Sequence, residues 1–142
     1  MKVVVLISCT KSKRISPCEA QLLYDKSTKF KKSLAYAKAI SDDIYVISAK
    51  HGLISLDTII APYDETLKGQ KQKIKTAWGN RVANQISELY DVNKTKFLIL
   101  AGRDYYAPLQ SHLPHIQLPL YRLNQGNSLA KLDALLNEAK RS

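Results

Sequence analysis

The chain has 142 residues, the length of one domain, and 45% of them are hydrophobic, which supports a packed core and excludes a disordered chain. Its longest apolar runs are strand-sized, which excludes a membrane-spanning helix. A net charge of +10 favours an anionic partner, nucleic acid or a phosphorylated nucleoside, with no membrane role. The basic residues are clustered, as in Lys26, Lys29, Lys31 and Lys32 and again in Lys68, Lys71, Lys73 and Lys75.

In chain order, Lys2–Ser8 reads as a first strand, apolar from Val3 to Ile7 as in a strand covered on both faces. Its apolar run starts after a single lysine, without the longer apolar region and cleavage site of a signal peptide, so a cytoplasmic location is expected. After a loop from Cys9 to Pro17, a short helix is predicted with Ser16 as N-cap and Pro17 at its first position. A longer helix is predicted over Ser27–Ile40 and a second strand over Ile44–Ser48. Residues 49–69 are irregular, with Thr58–Ala61 a possible extended piece. A helix resumes near Gln70, with Ile74, Trp78, Val82, Ile86 and Leu89 on one stripe. Gly79 within it costs ~1 kcal/mol against alanine and points to a close contact. A third strand (Lys96–Ala101), a helix over Tyr105–His112 capped by Asp104, an edge strand at Ile116–Leu118 and a last helix over Asn127–Lys140 complete the chain. Strands alternating with helices predict an α/β three-layer sandwich, about four mainly parallel strands with helices on both faces. No repeat or linker interrupts it, so residues 1–142 are read as a single domain.

In such sheets ligands bind beyond the carboxyl ends of the strands. Ser8, Cys9, Lys11 and Lys13 follow the first strand; hydroxyls, backbone N–H groups and ammonium charges suit an anion there. Lys11 is alternatively an amine nucleophile. Cys9 is either a nucleophile or a small buried residue. Lys50 and His51 follow the second strand. His51 can serve as acid or base, with Asp64 fixing its tautomer. Asp64 can also activate water, Tyr63 can stack on a base or sugar, and Asp57 is a second carboxylate within reach. Arg103 follows the third strand and suits a phosphate. Asn124, before the last helix, can read a base edge; Asn127 and Ser128 read as a plain turn and cap. The glycines are scattered, so neither phosphate loop nor dinucleotide fingerprint occurs. No cofactor is implied. The histidines and two cysteines lack metal-ligand spacing, and two cysteines make no disulfide framework.

The succession Ser8-Cys9-Thr10-Lys11-Ser12-Lys13, Pro17-Cys18-Glu19-Ala20 with Leu23-Tyr24 and Phe30, Ser48-Ala49-Lys50-His51-Gly52-Leu53 and Pro62-Tyr63-Asp64 resembles an uncharacterised bacterial and phage family. That family is similar to the YaaA-like group and, more remotely, to the uracil-DNA-glycosylase fold. The resemblance implies a small α/β sandwich and a link to DNA or nucleobases. YaaA-like proteins are associated with DNA binding and protection from peroxide, and carry extra helical parts that this chain is too short to hold. Remote glycosylase relatives activate water with an acid and stabilise charge with a histidine, roles that Asp64 and His51 would fill, although the usual glycosylase motifs are missing. Two functional expectations result. One is an enzyme acting on a nucleobase or nucleotide, at a glycosidic C–N bond, with Asp64, His51 and Lys50 catalytic. The alternative is a non-catalytic nucleic-acid or nucleotide binding module with a basic crevice. A deep pocket enclosing His51 and Asp64 would favour the first; a shallow basic groove would favour the second.

Overall fold

The computed structural model describes residues 1–141. The elements in chain order are β1 (Lys2–Ser8), β2 (Cys18–Glu19), α1 (Ala20–Leu23), α2 (Thr28–Ile40), β3 (Asp43–Ser48) and β4 (Gly52–Ser55). They continue with β5 (Ile59–Ile60), α3 (Gln72–Leu89), β6 (Thr95–Leu100), α4 (Arg103–Gln110), β7 (Ile116–Gln117) and α5 (Gln125–Arg141). Five strands form one sheet in the order β4-β3-β1-β6-β7. β1 lies at its centre, and Val4 to Ile7 are at most 1% exposed, as their unbroken apolar run requires.

β1, β3, β6 and β7 run parallel. The connection β1–α2–β3 moves one way along the sheet; β3–α3–β6 crosses back over β1, and β6–α4–β7 continues outward. Crossovers of this kind are right-handed, which puts α2 on one face and α3 and α4 on the other. The packing agrees: α3 lies on α4, and α5 returns to pack on α2. The result is a three-layer α/β sandwich.

Several elements differ from expectation. β4, which the sequence reading left irregular, pairs antiparallel with β3, so the sheet is mixed. Lys50 and His51 therefore sit in a hairpin turn, which Gly52 closes at φ 71°. Cys18–Glu19 is not the start of a helix. It pairs with Ile59–Ile60 in a small ribbon, and α1 begins only at Ala20 with Glu19 as its N-cap, so Ser16 does not cap it. α2 is capped as expected, Ser27 Oγ accepting from Phe30 N at 3.2 Å. In α3 the centre of the stripe is buried, while Ile74 and Leu89 at its two ends are exposed. α4 starts earlier than expected: Gly102 is its N-cap, and Asp104 lies in the first turn. α5 also starts early. Asn124 caps it, its Oδ1 accepting from Asn127 N and its carbonyl from Ser128 N, both at 2.8 Å, so the cap precedes the residues assigned to it. Among the described residues no helix is long and apolar enough to cross a membrane.

Candidate functional site

The chain leaves β1 toward the α2 face and leaves β6 toward the α4 face. Neighbouring strands whose connections diverge in this way leave a crevice at their carboxyl ends. A cleft of about 540 Å³ opens there. The segment after β1 supplies Ser8, Cys9, Thr10, Lys11 and Lys13. The loop before α3 supplies Asp64, Glu65, Thr66 and Lys68, and the start of α4 supplies Gly102, Asp104 and Tyr105. Asp104 is paired with Lys75 at 2.6 Å, which leaves Asp64 and Glu65 as the other carboxylates of a lining that also carries Lys11, Lys13 and Lys68.

The cleft rests on a buried hydroxyl network. Ser48 Oγ accepts from Lys50 N at 3.2 Å and from His51 N at 3.0 Å. Both of its lone pairs are then used, so its proton goes to the Tyr63 hydroxyl at 2.7 Å, and Tyr63 donates to Tyr24 at 2.6 Å. This chain fastens the β3–β4 turn to the Pro62–Tyr63 segment and both to α1. The Tyr105 hydroxyl accepts from Cys9 Sγ at 3.4 Å and from Leu67 N at 3.3 Å, and so donates to Thr66 Oγ1 at 3.5 Å. Burial first, and the neighbouring Cys9 next, push the Tyr105 hydroxyl up to about 12. Burial raises Tyr63 and Tyr24 still further. All three hydroxyls remain protonated at neutral pH and act as struts, not bases. Lys13 Nζ stands over the Tyr63 ring at 4.5 Å, a cation–π contact that holds its ammonium at the cleft wall.

The residues expected to act together are only partly assembled. Ser8, Cys9, Lys11, Lys13 and Asp64 share the cleft. Tyr63 lies beneath it, its hydroxyl consumed by Ser48 and Tyr24. His51 packs edge-on against Tyr63, with ring centroids 5.4 Å apart, and makes no side-chain hydrogen bond to Asp64 among the described residues. The acid whose charge reaches it is Glu65, and burial, Lys50 and Arg81 together hold its pKa below the ordinary 6.5. Lys50 is exposed on the turn, where its carbonyl accepts from Arg81 Nη2 at 3.1 Å. Asp57 accepts from Ser55 Oγ at 3.0 Å, away from the cleft. Arg103 lines a separate cleft on the far side of Gly102. Asn124 is spent as the α5 cap. Cys9 is 8% exposed, and it and Cys18 are both free.

Sequence reasoning missed Glu65 and Thr66, and it marked Lys68 only within a basic cluster and Tyr105 only as the start of a predicted helix. The first three lie just past Pro62-Tyr63-Asp64, so their place in the same loop was the signal. Tyr105 gave none, because its role depends on where α4 begins. Among the described residues no three of His, Cys, Asp and Glu are grouped to hold a metal ion.

The chain belongs to a family described as a family of unknown function (DUF6884), whose model matches residues 4–134. Neither the curated proteins nor the solved structures include a significant match.

Proposed function

We propose that the cleft at the carboxyl ends of β1 and β6 binds a phosphorylated nucleoside, free or as part of a nucleic acid. The observation that carries this reading is the lining itself: Lys11, Lys13 and Lys68 beside the hydroxyls of Ser8, Thr10 and Thr66, at the switch point where α/β sheets take ligands. Ammonium groups and hydroxyls together suit a phosphate, and the carboxylates of Asp64 and Glu65 suit hydrogen-bond donors of a sugar or base. The likeness to the YaaA-like group and to the glycosylase fold belongs to this proposal and rests on the motif residues alone. Titration calorimetry with nucleoside monophosphates at low salt tests it. Lys11→Ala with Lys13→Ala is expected to weaken binding about tenfold or more, as the loss of a charged hydrogen-bond partner does. Wild-type protein that takes up none of them, or a double variant that binds as tightly, would overturn it.

A second reading, hydrolysis of a glycosidic C–N bond, is favoured by one observation, the presence of Asp64 in the same cleft as the lysines. Asp64 would accept a proton from water as the water oxygen bonds to the sugar carbon. The C–N pair would leave with the base, which takes up a proton. His51 adds no support to it, since its ring packs edge-on against Tyr63. Binding without turnover is therefore the better-supported form. Chromatography for free base after incubation with nucleotides and oligonucleotides separates the two: release that disappears in Asp64→Asn would establish the hydrolase.

A further inference from the structure

A second cleft, of about 370 Å³, adjoins the first and shares Gly102 with it. Its wall carries Tyr106 and Tyr121, with ring centroids 6.0 Å apart, and the amide of Gln110. Arg103 and Arg122 supply its charge, and no carboxylate lines it. Neither arginine has an ion-pair partner among the described residues. Tyr121 is 46% exposed, and the Arg122 guanidinium lies over its ring at 5.2 Å. Arg122 itself is strained. It is the one non-glycine residue with positive φ among those described, at 59°. It occupies the third position of the turn in which Leu123 N bonds Leu120 O at 3.1 Å, where glycine or asparagine is usual. Strain of this kind persists where the side chain has a use, ligand clamps among them.

We infer that this second cleft takes the next nucleotide of a single-stranded polynucleotide whose first nucleotide occupies the main cleft. The inference rests on the reading proposed above and extends it from a mononucleotide to a strand. An exposed aromatic ring is a sequence-tolerant platform for a base. Two unpaired guanidiniums beside it match the phosphate that follows, since arginine forms two parallel hydrogen bonds to a phosphate. Gly102 is the passage between the two clefts. A Cβ built on it meets nothing within 4 Å, so the gap is open at this point.

Fluorescence anisotropy with a length series of oligo-dT and oligo-U, from one nucleotide to about twelve, decides the matter. Affinity is expected to rise with the second and third nucleotides and then level off. Arg103→Ala with Arg122→Gly should erase that rise, a loss of about tenfold for a hexamer, while nucleoside monophosphate binding stays unchanged. Arg122→Gly alone should weaken the hexamer and leave the melting temperature equal or higher, since glycine relieves the turn. A preference for oligo-U over oligo-dT would mark RNA as the strand, and the reverse DNA. A hexamer bound no better than a monophosphate, or a double variant that keeps the hexamer affinity, would overturn the inference while the main cleft's reading stands. Absence of any nucleotide binding would overturn both.

Discussion

At the residue scale, His51 is the side chain whose assigned role changes most. Its position at a strand end marked it as an acid or base, but its ring sits half-buried against Tyr63 beside Lys50 and Arg81. Burial first, and those two cations next, disfavour the imidazolium. The folded pKa is therefore depressed below 6.5, so as pH falls through 6.5 the unfolded chain takes up the proton first. Above that pH both states hold the ring neutral and the residue adds no slope; below it, stability drains away. His51→Gln removes this dependence. Thermal melts at pH about 7.5 and about 5.5 are expected to show a larger drop for wild type than for His51→Gln. Equal drops would mean that the ring is as easily protonated in the fold as in the open chain.

At the element scale, α3 locks one face of the sandwich. Trp78 donates to the Ser48 carbonyl at 2.8 Å and stands edge-on to Tyr105, 5.5 Å between centroids. Gln85 Oε1 accepts from Leu53 N at 2.9 Å and so holds β4. Gly79 is the point of closest approach to α4: a Cβ there would lie 2.5 Å from the Pro108 carbonyl oxygen and 2.7 Å from its Cβ. Alanine would gain ~1 kcal/mol of helix propensity, but overpacking against a proline backbone costs about 1–3 kcal/mol, so the clash wins. Gly79→Ala is expected to lower stability by about 1 kcal/mol in urea unfolding, and Trp78→Ala by about 3–5 kcal/mol. An alanine variant as stable as wild type would mean that α4 slides freely. The long elements were legible in the sequence because each carries its own periodicity, as in the run Val3–Ile7 and the stripe Trp78–Val82–Ile86. β4 and the β2–β5 ribbon were not, because two to four residues hold no period and are defined by the partner strand. The turn with Gly52 was the available hairpin signal. The site was legible as far as it depends on the ends of parallel strands, which brought Ser8, Cys9, Lys11 and Lys13 to one edge. Where His51 stands relative to Asp64 was not legible, because it depends on how residues 49–69 fold back, which β4 and the Tyr63 hydroxyl decide.

At the scale of the whole molecule, the charge of +10 is distributed unevenly in its consequences. Lys2, Arg14, Lys32 and Lys75 are tied to Asp43, Asp25, Asp133 and Asp104. Lys11 and Lys68 are exposed at the cleft, on the sheet edge where β1, β3 and β6 end. Lys94 lies on the opposite edge, just before β6, and Lys140 is in the last turn of α5. If charge acts only as a uniform field, removing any two of these lysines should change the salt dependence of polynucleotide binding alike. If a strand lies along the cleft edge, only the contacting lysines release counterions, about 0.7 in the slope of log K against log salt for each single-strand phosphate contact. Lys11→Ala with Lys68→Ala is therefore expected to flatten the slope by roughly 1.4, and Lys94→Ala with Lys140→Ala to leave it nearly unchanged. Anisotropy titrations of an oligonucleotide over a series of salt concentrations measure both. Equal flattening by the two pairs would assign the affinity to net charge and remove the cleft edge as the binding surface.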